Sequence, residues 1–219
     1  MRQVRLGSIL RRQGQIKQSV SVYSRALKIL RELLGDSSGG GGGGRCKVLV
    51  AQAKRCVVEL LAKTLNNIGE ALLALGRLDA AMLRLEEARA IKEKLYGKES
   101  VEVAATLDNL GLVYSRMGNL TLALACCGAA QKTRDVLLGR VHRESAKSRL
   151  NLAAVLLQLS DHDGAMRVWG EAVEIFSELG ETSMEVAKAF NNMATVEEER
   201  GRDREVLTLL ALLVQKYKH

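Results

Sequence analysis

Four asparagines set the register of this chain. Asn67, Asn109, Asn151 and Asn192 each precede an apolar residue and then a glycine or alanine, at spacings of 42, 42 and 41 residues. The same period returns at the turn downstream, in LGRLD around Gly76, MGNLT around Gly118, LSDHD around Ser160 and RGRDR around Gly201. It returns again at Ala81, Ala123 and Ala165, and at Ala88, Ala130 and Ala172. A fixed period of this length means an array of structural repeats. Each repeat then contacts mainly its neighbours, and the array offers a long binding surface rather than one enclosed pocket.

One unit, KTLNNIGEALLALGRLDAAMLRLEEARAIKEKLYG, explains its own local structure. Leu65, Ile68, Leu72 and Leu75 recur at intervals of three and four, which marks one face of a helix. Gly76 closes that helix, because glycine accepts the left-handed backbone geometry that ends helices. A second amphipathic helix starts near Leu78, turns Ala81, Leu85, Ala88 and Ile91 inward, and stops at Gly97. Gly69 and Ala81 are small because the two helices of the hairpin cross there. The chain contains no proline and only 3% aromatic residues, so helices run uninterrupted and pack through leucine, alanine and valine. The expectation is an all-α fold. No apolar run approaches the ~18 residues of a membrane-spanning helix.

The formal charge of +8 is unevenly spread. Residues 1–60 hold twelve lysines and arginines against three acids, a net +9, whereas residues 61–219 hold 21 against 22. Arg5, Arg11 and Arg12 form a candidate basic patch for an acidic partner. Nucleic acid is the weaker candidate, since no recognition motif or aromatic stacking platform accompanies the charge. The acid-poor start also has the composition of an organelle transit peptide. Against that, it fits the repeat, with Gly7 on Gly69, Gly14 on Gly76 and Ala26 on Ala88.

Nothing points to catalysis or to a cofactor. Cys46 and Cys56 are ten residues apart and Cys126 and Cys127 adjacent, so neither pair has metal-knuckle or redox spacing. Reduced thiols in a cytoplasmic setting are expected, with Cys127 and Trp169 as packing residues. No nucleophile elbow, zinc or phosphate-loop motif is present, and the glycine tract lacks the context a phosphate loop needs. Glu197, Glu198 and Glu199 read as a solvated helix face.

The apolar residue followed by glycine or alanine after each asparagine, the turn glycine and the two alanines of the second helix resemble the tetratricopeptide repeat. The longer period, with TLNNIG, TLDNLG, RLNLAA and FNNMAT opening units and IKEKLYG or TRDVLLG closing them, is most similar to the kinesin light chain variant. The resemblance implies a right-handed α-solenoid of about five helix-turn-helix repeats, at 1–35, 62–97, 104–139, 146–180 and 187–219, forming one domain. Residues 36–61 stand apart. The link from Gly35 to Ala62 spans 27 residues where the others use 7, and it contains SSGGGGGG. Six consecutive glycines predict a loop over 36–44, after which RCKVLVAQAKRCVVELLAKTLNN can extend the next helix backwards.

The resemblance also implies a non-enzymatic, protein-binding role. In such solenoids the first helices line the concave face and their asparagines hold an extended peptide, a role that maps onto Asn67, Asn109, Asn151 and Asn192. An amide suits it by both donating and accepting. Lys63, Lys147 and Lys188 lie one turn earlier in three units, and Arg116 adds a further cation. An acidic peptide or a carboxylate is therefore the expected ligand of an adaptor or scaffold. The alternative is a subunit of a large ribonucleoprotein, cytoskeletal or ciliary assembly, using the basic first repeat and a dense apolar C-terminal helix (Val206, Leu207, Leu209, Leu210, Leu212, Leu213 and Val214) to contact another subunit.

Overall fold

The computed structural model describes residues 2–35, 44–181, 184–202, 204–206, 208 and 211. Residues 36–43 of the glycine-rich insertion, the Cys46 side chain, and Leu207, Leu209, Leu210, Leu212, Leu213 and Val214 of the C-terminal segment lie outside what is described. Every regular element among the described residues is an α-helix. The helices pack as successive hairpins, the arrangement of an α-solenoid. They fall into two compact units, Met1–Met117 and Gly118–His219.

The first unit holds α1 (Arg2–Arg12), α2 (Ile16–Gly35), α3 (Gly44–Ala74), α4 (Leu78–Tyr96) and α5 (Val101–Arg116). Each helix packs on the next in sequence from α1 to α2 and from α2 through α5, and the first helices α1, α3 and α5 also touch in turn, α1 to α3 and α3 to α5. The crossings explain the small residues. A methyl built on Gly69 would lie 2.5 Å from Leu85 Cγ, and one built on Gly7 would lie 2.6 Å from the Tyr23 ring. Tyr23, Leu65 and Leu85 are fully buried at these crossings. At the run of six glycines, α3 begins at Gly44 and continues for 31 residues, because nothing from Arg45 onward breaks it.

The second unit holds α6 (Leu120–Leu138), α7 (Arg143–Gln158), α8 (His162–Glu178) and α9 (Met184–Glu199). Trp169 anchors one cluster with Ala153, Ala165, Val168, Ala189, Met193 and Val196. Phe176 anchors a second with Ala146, Ile175, Val186 and Phe190. Cys127 is fully buried, whereas Cys56 is exposed. At the hairpin turns Gly76 and Gly118 have φ of 74° and 80°, and Ser160 takes the same left-handed role at φ 60°. Ser160 lacks glycine's freedom there, so this turn carries strain that the others avoid.

Glu197 corrects the reading of a solvated acidic face. It is buried beside Val196 and Met193, with Arg202 Nε at 2.6 Å and Arg200 at 3.6 Å from its carboxylate. Glu198 and Glu199 are exposed. One residue in three faces inward because a helix rotates about 100° per residue.

Candidate functional site

A polar seam joins the first helices of the first unit. The Asn66 amide, on α3, donates to Glu70 Oε1 at 2.7 Å, and its carbonyl oxygen accepts from Thr106 Oγ1, on α5, at 3.1 Å. Asn109 donates to the same Glu70 oxygen at 3.0 Å and to Asn66 Oδ1 at 3.5 Å. Arg11, on α1, pairs with Glu70 from the other side. Glu70 thus gathers α1, α3 and α5 on one carboxylate. Arg116 Nη1 donates to the Leu73 carbonyl near the end of α3 at 2.9 Å, alongside the Gly76 N–H at 3.0 Å.

The other asparagines of the 42-residue register are placed differently. Asn67, Asn151 and Asn192 are half-buried, and their side chains make no hydrogen bond among the described residues. Lys63 and Lys188 are exposed one turn before Asn67 and Asn192. Lys147 is half-buried and bonds Glu144 Oε1 at 3.0 Å. Arg5 and Arg12 are exposed on α1, whereas Arg11 is held by Glu70. Of the sequence candidates, Asn109 and Arg11 therefore meet on one carboxylate, and the remainder stand separately in their two units.

A second periodic set escaped sequence reasoning. Lys92 and Arg134 are 42 residues apart and both are buried, at 6% and 3% exposure. Lys92 Nζ donates to Thr106 Oγ1 at 2.6 Å and to Asn66 Oδ1 at 3.5 Å. Arg134 donates to Ser148 Oγ, and Ser148 stands 42 residues after Thr106. Burial pushes the Lys92 ammonium down to about 8, with Glu102 acting upward and Lys63 downward. Lys92 lines a cavity of about 260 Å³ together with Glu59, Ala62, Lys63, Tyr96, Val101, Glu102 and Ala105. The missed signal was the period itself, which aligns Lys92, Glu102 and Thr106 with Arg134, Glu144 and Ser148.

In the second unit the buried Arg149 is paired with two carboxylates. Arg149 makes a bidentate bond to Asp135, both contacts at 2.8 Å, and a third to Glu171 at 3.1 Å. Burial works against this guanidinium, but the bonds to Asp135 and Glu171 outweigh it and raise its pKa. Arg134 lies 3.6 Å from the Glu144 carboxylate. Burial opposes that carboxylate's charge, and Lys147 and Arg134 overcome it and lower its pKa. Among the described residues no helix is long and apolar enough to cross a membrane.

Two profiles, each described as Tetratricopeptide repeat, match the chain, one over residues 60–127 and 102–178 and the other over residues 3–38. The chain belongs to the tetratricopeptide repeat family, in which helix hairpins form protein-interaction surfaces. Its fold is similar to that of BtubC (BKLC) from P. vanneervenii, at 19% identity over 96% of this chain and 76% of that one, with a TM-score of 0.73. A putative kinesin light chain from Podosopora anserina with nearly identical TPR-like repeats is similar over 99% of this chain and 96% of that one, at 16% identity and a TM-score of 0.67. The Rap conjugation gene regulator of the plasmid pLS20, solved in complex with the Phr* peptide, is similar at 16% identity and a TM-score of 0.68. That match covers 95% of this chain and 50% of the regulator. No curated protein matches the sequence significantly.

Proposed function

We propose that this chain is a non-enzymatic adaptor or scaffold of the cytoplasm that holds an extended, acidic peptide along its first helices. The observation that carries the reading is the set of half-buried amides at Asn67, Asn151 and Asn192, in repeat register and without hydrogen bonds among the described residues. A polar group in that state gains most from a ligand that both donates and accepts, as a peptide backbone does. Lys63 and Lys188 supply exposed positive charge one turn away. A tetratricopeptide fold solved with a peptide bound supports the mode of binding. Asn109 contributes differently, by tying α5 to α3.

The test is fluorescence anisotropy against an array of labelled octapeptides of varied charge. Acidic members should bind, and Asn67→Ala with Asn151→Ala should weaken them by about 0.5–1.5 kcal/mol per lost bond. Binding that is indifferent to these changes would refute the groove. A second reading, a subunit of a larger assembly, draws on α1, where Arg5 and Arg12 are exposed beside the exposed Leu6 and Ile9. Under that reading Arg5→Glu with Arg12→Glu, or salt raised from ~0.05 to ~0.5 M, should dissociate the complex.

A further inference from the structure

Two repeats of this chain carry the same buried-cation motif and finish it differently. In the second unit Arg134 meets Ser148 and lies 3.6 Å from the carboxylate of Glu144. In the first unit Lys92 meets Thr106 in the same way, but its hydrogen bonds go only to the neutral oxygens of Thr106 and Asn66. Glu102, the counterpart of Glu144 by the 42-residue period, is exposed and forms no ion pair with Lys92. A buried cation without a carboxylate is costly. Lys92 lines a cavity of about 260 Å³, whose lining also includes Glu59, Lys63 and Glu102.

We infer that this cavity, between α3, α4 and α5, is a specificity pocket that takes the side-chain carboxylate of a glutamate in the bound peptide and pairs it with Lys92. The inference rests on the peptide-binding reading above and names one subsite of it. Ala62, Val101, Ala105 and the Tyr96 ring give the pocket apolar walls that suit the methylenes of glutamate. The charged and titratable groups around Lys92 are Glu59 and Lys63 from α3, Tyr96 on its own helix and Glu102 from α5. Glu59 is engaged by Arg55 Nε at 3.2 Å, while Lys63 is exposed and can add a second cation at the rim. A carboxylate bound to Lys92 would favour its protonated form, so binding takes up protons where the free lysine has begun to lose its own.

The experiment uses the full chain and N-acetylated, C-amidated octapeptides made as matched pairs with glutamate or glutamine at one central position. The glutamate member should bind about tenfold more tightly, as expected of a charge-assisted bond formed away from water. Lys92→Met and, independently, Ala105→Leu, which fills the cavity, should abolish that preference. Calorimetry of the wild-type chain near pH ~8.5 in buffers of different ionisation enthalpy should show uptake of up to about 0.7 proton with the glutamate peptide and none with glutamine. Equal binding of both members, a preference that survives Lys92→Met, or binding without proton uptake would overturn the pocket and leave the groove standing. If no octapeptide binds, the groove reading falls and the pocket falls with it.

Discussion

Replacing Lys92 by methionine removes a buried charge while keeping the length of the side chain, and its consequence is best read as a function of pH. The folded pKa of about 8 lies below the 10.5 of a solvated lysine. Between about pH 7 and about pH 9.5 the unfolded chain keeps this proton while the folded chain gives it up. Unfolding free energy therefore rises with pH, since stability grows wherever the unfolded state binds more protons. Integrating over that interval gives about 2 kcal/mol from Lys92 alone. The upper limit keeps below the range of Tyr96, whose phenol is pushed up by burial and then by Glu59 and Glu102, and which acts in the opposite direction above pH ~10. Urea unfolding of the wild type and Lys92→Met at the two pH values gives the comparison. Relative to the wild type, the methionine variant should lose about 2 kcal/mol between them, because it lacks the titrating group. A difference that stays constant with pH would show that Lys92 is solvated when folded, and the reasoning from its burial would fail.

Asn109→Ala should cost about 1.5–3 kcal/mol of stability by removing a bond to the Glu70 carboxylate that joins α5 to α3, whereas Asn67→Ala should change the urea midpoint by under ~0.5 kcal/mol. Similar losses in both would refute the distinction drawn between them. Ser160→Gly should stabilise the chain by about 0.5–1 kcal/mol, the relief of left-handed strain less glycine's entropy, and a lowered thermal midpoint would contradict it.

The period made the hairpins legible. Gly69 and Gly7 are small because Leu85 and Tyr23 cross directly over them, and the helical spacing of Leu65, Ile68 and Leu72 already showed which face turns inward. Charged residues were harder to read. Glu197 belongs to a run of three acids, and only the packing of α9 shows that it faces inward while its neighbours do not. Lys92 likewise follows Ile91 in an amphipathic helix and has the composition of a solvated residue. Its burial depends on Thr106 and Asn66, which come from two other helices.

Local sequence determined where helices begin, turn and pair, because backbone geometry and the 3.6-residue rotation act over a few positions and repeat every 42. Tertiary structure decided which polar residues are spent within the protein. Asn67 and Asn109 occupy the same register position, yet Asn109 is consumed by Glu70 and Asn66 while the Asn67 side chain makes no bond among the described residues. The difference comes from what the neighbouring helix presents some forty residues away. A hydrogen bond needs its partner within about 3 Å, and only the packing of α3 against α5 fixes that distance.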